Sequence, residues 1–291
     1  MDEARNGLSA LLNVAPSTLH FGPSTSQNTY VLAQAFRNLN SSRKVIIVTN
    51  QDHEANSGSW RKLEKDGFVI REWRVNSLSG SLDVDDLLDL LDEDVLLVAF
   101  PHCSNIVGEI NPVKEICRLV RNVGGLTCVD GVSYAPHGFS DIGDLAPDIY
   151  MFSAYKTYGT HLGIMHISES LNRELENQGH YFNEGSPVKR FTPAGPDHAQ
   201  IAASAGIVDY IHSLYEHHFN DRIDPKLVAS RVHDMQRKHE TKLLEPLLNF
   251  LKTKDDLRVL GSTSTKGRVP TVAIDLKQRG KKIAIELAND G

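Results

Sequence analysis

From residue 25 to 167, short apolar runs alternate with runs of helical spacing. Residues 44–49 (KVIIVT) are few and β-branched, which predicts a buried strand. Residues 54–66 predict a helix with Trp60 and Leu63 inward, and 68–75 (FVIREWRV) a second strand. The leucines of 84–91 have helical spacing, with Asp83 as the cap. Residues 95–100 (VLLVAF) predict a third strand, ended by Pro101. Pro112 suits the first position of a helix running to about 123, which Gly124 and Gly125 stop. Further strands are predicted at 126–130 (LTCVD), 149–153 (IYMFS) and 163–167 (GIMHI).

Strand, helix, strand in this rhythm implies right-handed crossovers and a mostly parallel sheet covered on both faces. Such α/β sheets bind ligands beyond the carboxyl ends of their strands. The second half reads differently. Residues 197–214 predict an alanine-rich helix. Residues 225–252 place Leu227, Val228, Val232, Met235, Leu243, Leu244, Leu247 and Leu251 on a long amphipathic helix, long enough to bridge two domains. Residues 268–276 (RVPTVAIDL) predict a β-run, and 283–289 begin another helix. The expected division is a large domain over 1–220, a connecting helix over 221–252, and over 253–291 the start of a smaller α/β domain.

The chain has 291 residues with 31 basic and 37 acidic side chains, a formal charge of −6. That balance argues against a nucleic-acid or anionic-membrane surface, which needs clustered Lys and Arg. No apolar run approaches a bilayer span, and residues 1–6 carry mixed charge without the apolar core of a signal peptide. Three cysteines, Cys103, Cys117 and Cys128, form no CxxC pair and fit neither a disulfide framework nor a zinc ribbon. The expectation is a reduced, cytoplasmic protein without a metal site.

Chemistry-bearing residues collect just past the predicted strand ends. His102, Cys103 and Asn105 follow the third strand, Asp130 and Ser133 the fourth, and Ser153, Tyr155 and Lys156 the fifth. Thr25 and Ser26 lie where the loop HFGPSTS turns into a helix. Each has an ordinary reading alone: Asp130 as a turn residue, Thr25 and Ser26 as a helix cap, Lys156 as a surface lysine, His102 as a packed histidine. Together they fall at one sheet edge, and their chemistry fits one cofactor. Pyridoxal 5′-phosphate needs an amine for a Schiff base, a carboxylate facing the pyridine nitrogen, hydroxyls and backbone N–H groups at a helix start for the phosphate, and a flat group over the ring. Lys156, Asp130, Thr25 and Ser26 with Ser153, and His102 are the candidates in turn. No GxGxxG or GxxxxGK[ST] motif is present, which argues against a dinucleotide or ATP site.

Residues 99–110 (AFPHCSNIVGEI), 128–137 (CVDGVSYAPH) and 148–163 (DIYMFSAYKTYGTHLG) resemble the class V aminotransferase family, in its cysteine desulfurase-like and selenocysteine lyase-like branch. Residues 48–63 (VTNQDHEANSGSWRKL) are similar to another family segment, His-x-x-Asn followed by Trp. The resemblance implies fold type I, with a large mixed α/β domain, a smaller C-terminal α/β domain, a homodimer and an amino-acid substrate. It implies Lys156 as the Schiff-base lysine and general base, Asp130 as the pyridinium partner, and His102 as the stacked residue and proton shuttle. It places Asn105 beside the ring, and Ser153, Thr25 and Ser26 at the phosphate. His53 and Asn56 approach the substrate side by analogy, or start a helix. Ser133 stands where the family often has Gln or His, Tyr155 where many members have His, and Gly195 in FTPAGPDHAQ where a threonine is usual. The family commonly has a segment ahead of Met1 and extends well past residue 291, where its carboxylate-binding arginine and nucleophilic cysteine lie; none of the three cysteines here matches that position. The implied activity is cysteine desulfurase-like, C–S cleavage or sulfur or selenium elimination. Transamination or epimerisation on the same cofactor, and a shortened non-catalytic homologue, are the competing expectations.

Overall fold

The fold was analysed in a computed structural model that describes residues 1–221 and 223–290. Arg222, in the expected 221–252 connector, and Gly291, at the end of the expected 253–291 unit, lie outside the described residues. The strands are β1 (Leu19–Gly22), β2 (Val45–Thr49), β3 (Val69–Trp73), β4 (Val95–Pro101), β5 (Leu126–Asp130), β6 (Ile149–Ser153), β7 (Gly163–Ile167), β8 (Arg258–Leu260) and β9 (Ala273–Asp275). The helices are α1 (Asp2–Leu11), α2 (Thr25–Arg37), α3 (Glu54–Arg61), α4 (Val84–Leu88), α5 (Val113–Asn122), α6 (Ile142–Leu145), α7 (Glu169–Glu174), α8 (His198–Ala203), α9 (Ala205–His218), α10 (Pro225–Lys252) and α11 (Gly280–Asp290).

The first seven strands form one sheet in the order β1-β7-β6-β5-β4-β2-β3. β3, β2, β4, β5 and β6 run parallel, and β7 is antiparallel to both β6 and β1. Each central strand is apolar throughout because both of its faces are covered. Side chains alternate across the sheet. One face carries Ala99, Cys128, Ile149 and Met151 and packs on α2, α3 and α7 through Leu32, Phe36, Trp60, Leu63 and Leu171. The other carries Val98, Phe100, Val129, Tyr150 and Phe152 and packs on α1, α5, α9 and α10 through Leu8, Ile116, Val120, Ile207 and Val232.

The predicted strands at 126–130, 149–153 and 163–167 form with those bounds. α1, β1 and β8 were not anticipated. β1 is short and carries His20 and Gly22 among its four residues, which breaks the apolar pattern. The single helix expected over 197–214 is two, divided at Ser204, whose hydroxyl bonds back to the Ile201 carbonyl at 2.7 Å. The β-run expected over 268–276 is mostly irregular. There β9 pairs with β8, and Arg268 bridges to Glu109 instead. The Arg268 side chain is 1% exposed and donates to the carbonyls of Val107, Ser262 and Thr271. It thereby ties the C-terminal segment to the loop after β4. Among the described residues no helix is long and apolar enough to cross a membrane.

Candidate active site

The site is assembled at the carboxyl ends of β2, β4, β5 and β6. Asp130 ends β5 and is buried. Strand alternation sends its side chain to the face of Cys128, two residues earlier. Its Oδ1 accepts the Val132 N–H at 2.8 Å, which fixes the carboxylate at the turn. Burial raises the Asp130 carboxyl above its ordinary range, and the Val132 bond and the charges of His53 and Lys156 offset part of that. Lys156 and His53 are therefore within electrostatic reach of this acid. Lys156 follows β6 in a single 3-10 turn and is exposed, and Ser153 at the end of β6 is buried.

The Ser153 hydroxyl meets Thr25 Oγ1 at 2.9 Å. Thr25 is the first residue of α2, so this pair sits at a helix N-terminus, where unpaired N–H groups favour an anion. The cap of α2 is Ser24, which accepts the Gln27 N–H at 3.2 Å; Ser26 is exposed in the first turn. Gly163 on β7 makes this possible. A Cβ there would lie 2.4 Å from the Ser24 carbonyl carbon and 2.6 Å from the Thr25 nitrogen, so only glycine lets the strand approach the start of the helix.

The structure departs from the expectation for His102. Phe100 points to the face of α5 and α10, and His102, two residues on, follows it. The buried His102 ring stacks on Tyr134 with centroids 3.8 Å apart and planes 10° apart, and its Nδ1 meets Tyr150 Oη at 2.8 Å. Burial and the nearby His233 push the imidazole down to about 3. His102 is thus a neutral packing group on the opposite sheet face from the Asp130 side chain, and is not the ring cover. The residue that reaches Asp130 is His53. It precedes α3, its Nδ1 accepts the Ala55 N–H at 3.0 Å, and its ring is exposed. The helix-start reading given for His53 therefore holds in its geometry. The signal that identifies it is strand parity, which separates Asp130 from His102 in the sequence alone.

Other candidates lie near the edge without entering this network. Asn105 is exposed on the loop after β4, and Ser133 is half-buried in the turn after β5. Tyr155 is 44% exposed and stacks on His161 at 4.6 Å and 6°. Asn56 is an additional buried polar group, and Asp52 a half-buried one. Asn56 Nδ2 donates to Asp52 Oδ2 at 2.6 Å, and Asn56 Oδ1 accepts from Trp60 Nε1 at 3.3 Å and Cys128 Sγ at 3.4 Å. All three cysteines are buried. Burial raises the Cys103 thiol to about 12, Cys117 to about 11, and Cys128 well above its usual range.

The class-V aminotransferase family model matches residues 1–289. The chain belongs to that family. The aminotransferase-like protein FGM3 of Gibberella zeae is 32% identical over 98% of this chain and 68% of its own length. A probable cysteine desulfurase of Xylella fastidiosa is 30% identical over 94% of this chain and 65% of its own. The structure of the cysteine desulfurase CsdA of Escherichia coli superposes with a TM-score of 0.77 at 19% identity, covering 99% of this chain and 70% of that one, which shows the shared fold. The chain spans about two thirds of the length of these relatives. It is a cysteine desulfurase-like member of a family whose enzymes use pyridoxal 5′-phosphate. The residues present fit that group: a buried acid, an amine within reach of it, and a hydroxyl pair at a helix start where glycine leaves room.

Proposed function

We propose that this chain binds pyridoxal 5′-phosphate and acts on an amino acid by cysteine desulfurase-like C–S cleavage. The observation that carries the reading is the buried Asp130 carboxyl at the end of β5, within electrostatic reach of Lys156 and His53, on the sheet edge that also holds the hydroxyl pair of Thr25 and Ser153. When bound, the cofactor supplies a cationic ring that accepts electrons from the substrate's Cα. Asp130 holds the proton on the ring nitrogen, which keeps the ring cationic. Thr25, Ser153 and the first N–H groups of α2 bind the phosphate. Lys156 Nζ anchors the cofactor and, once released, takes and returns the substrate proton. The His53 ring, held by its bond to Ala55 N–H, covers the ring in place of His102. Asn105, Ser133, Ser26 and Tyr155 line the approach, with Tyr155 in the position where a neighbouring group can donate to the phosphate.

Residues 1–220 form the cofactor-holding unit in this reading, 221–252 the connector, and 253–291 belong to a second unit. The chain pairs as a homodimer in the cytoplasm. Cys103, Cys117 and Cys128 are all buried, so none of these three is placed to accept sulfur. Transamination or epimerisation on the same cofactor is the competing reading.

The test is to add pyridoxal 5′-phosphate to the purified protein and reduce with borohydride. The expected result is a yellow protein that bleaches on reduction, with the cofactor left fixed on Lys156, and no fixed label in Lys156→Ala. Equal labelling of the two overturns the reading. Product analysis with cysteine and alanine then separates released sulfur from keto-acid exchange.

A further inference from the structure

Asp52 is a second carboxyl at this edge that the proposed chemistry leaves unused. It lies three residues beyond the end of β2, and Asp130 ends β5; β4 runs between those two strands. Thr49 Oγ1 accepts the Gln51 and Asp52 N–H groups at 3.2 and 3.1 Å, which turns the chain back over the strand end. Asp52 Oδ2 is taken by Asn56 Nδ2 at 2.6 Å. Asn56 in turn accepts from Cys128, which shares the sheet face of Asp130. Asp52 Oδ1 is sealed from solvent and has no hydrogen-bonding partner among the described residues. An ionised oxygen left in that state is costly; a protonated one needs only an acceptor.

We propose that Asp52 and Asp130 form a carboxyl pair that holds one proton, with Asp52 a positioning residue that acts on the cofactor only through Asp130. The cofactor part of this rests on the function proposed above; the pair itself does not. Two carboxyls brought to one covered sheet face through Asn56 and Cys128 cannot both ionise cheaply, so the proton stays with the pair. Burial and then Asp130 raise the Asp52 carboxyl well above its ordinary range, in agreement with the geometry. The charged or titratable groups facing the pair are His53 before α3, Cys128 on β5, Lys156 after β6 and Tyr150 on β6. Asp130 ionised and Asp52 protonated leaves a net single negative charge toward the pyridine nitrogen. Asp52 supplies a second negative charge only when the pH rises far enough to remove the shared proton.

The first experiment uses the protein without cofactor. Urea unfolding is measured from pH 5 to 8 for wild type and Asp52→Asn. Unfolded Asp52 is ionised in this window and folded Asp52 is not, so unfolding releases a proton. The wild-type unfolding constant should therefore rise about tenfold more per pH unit than that of the variant. Histidine contributions cancel in the difference. Parallel curves overturn the pair. If Asp52→Asn does not fold, infrared spectra of 13C-aspartate-labelled protein decide, with Asp148, whose carboxyl burial also raises, replaced by Asn. A protonated-carboxyl band at pH 7 supports the pair, and its absence overturns it.

The second experiment titrates the visible absorbance of the cofactor-loaded protein. Without the second charge, the alkaline spectral transition of Asp52→Asn should move to lower pH, and Asp52→Glu should restore it. An unmoved transition removes the link to the cofactor. Failure to load cofactor on Lys156 removes the function proposed above but leaves the unfolding result standing.

Discussion

The two faces of one sheet edge make opposite use of similar residues. On the face of α2 and α3, Ser153, Thr25 and Asn56 are held by hydrogen bonds around Asp130, an acid within electrostatic reach of the exposed side chains of Lys156 and His53. On the face of α5 and α10, His102, Tyr134 and Tyr150 close on one another, with His102 stacked and hydrogen-bonded. Gly131, which follows Asp130, has no room for a side chain because a Cβ would lie 2.3 Å from the Tyr150 hydroxyl. The aromatic face is thus a rigid backing for the turn that aims Asp130. A histidine at a strand's carboxyl end is not thereby a site residue; the face to which it points decides.

The largest effect expected from this contrast is at Asp130. Asp130→Asn keeps the shape and the Val132 N–H bond but removes the charge that holds a protonated ring. Turnover should fall by about 10²–10³-fold, the scale of losing one preorganised electrostatic partner, with little change in unfolding temperature. Steady-state kinetics beside a thermal melt measures both. A variant with undiminished turnover would show that the acid is structural.

The two histidines should separate cleanly. His53→Ala should lower turnover about tenfold or more, on the scale of a positioned acid–base or stacking group, at a stability cost of about 1 kcal/mol for the lost cap. His102→Ala should do the reverse. It removes a stacked, buried ring and leaves the Tyr150 hydroxyl unpaired, at a cost of about 2–4 kcal/mol, while cofactor loading persists. If His102→Ala lost the visible absorbance while remaining folded, the assignment of faces would be wrong.

Much of the sheet was legible because β4, β5, β6 and β7 are short apolar runs bounded by glycine, proline or polar turns, and such runs have little alternative to burial. The convergence of Asp130, Lys156, Ser153 and Thr25 on one edge followed from the rule for carboxyl ends. What the pattern alone missed has physical causes. β1 is antiparallel to β7 and too polar to announce itself. Ser24, not Thr25, caps α2, because either hydroxyl suits a cap and only the backbone decides. His53 was weighed as a helix start, and its second role depends on the distant Asp130, which no local pattern around residue 53 contains. Asp52 was unreadable for the same reason: its chemistry comes from a neighbour 78 positions away in sequence.

The faces should also differ in their response to pH. His102 is held neutral in the fold, at about 3 against 6.5 when free. Its contribution is present above 6.5 and is lost as the pH falls toward 3, because the unfolded chain binds a proton that the folded one excludes. His102→Phe should therefore flatten the acid limb of the stability profile by about one proton, or tenfold in the unfolding constant per pH unit, between about pH 6 and 4. The His102 share of the acid limb belongs to the aromatic face, and His20 and His166, which burial pushes down to about 3 and about 4, add their own. A variant that moved both limbs would mean that the two faces are coupled through the turn at Gly131.

The smallest effect is expected at Gly195, which stands where the resemblance implies a threonine. A Cβ at Gly195 meets nothing within 4 Å, and its backbone is not in the left-handed region. Threonine should therefore enter without strain, and by restricting the unfolded chain it should leave stability unchanged or raised by less than about 1 kcal/mol. Gly195 is exposed and no described residue beyond its chain neighbours stands within 4 Å of that Cβ, so a gain in affinity would point to a ligand or a second copy. If the segment around Gly195 contributes to a phosphate site, Gly195→Thr should tighten cofactor binding by about tenfold at most, the scale of one hydrogen bond. Titration of cofactor fluorescence at several protein concentrations measures this. A gain that grows with protein concentration assigns the contact to a dimer, and a gain independent of it assigns the contact to the same chain. A change in melting temperature without any change in cofactor affinity would leave Gly195 as a backbone residue with no part in binding.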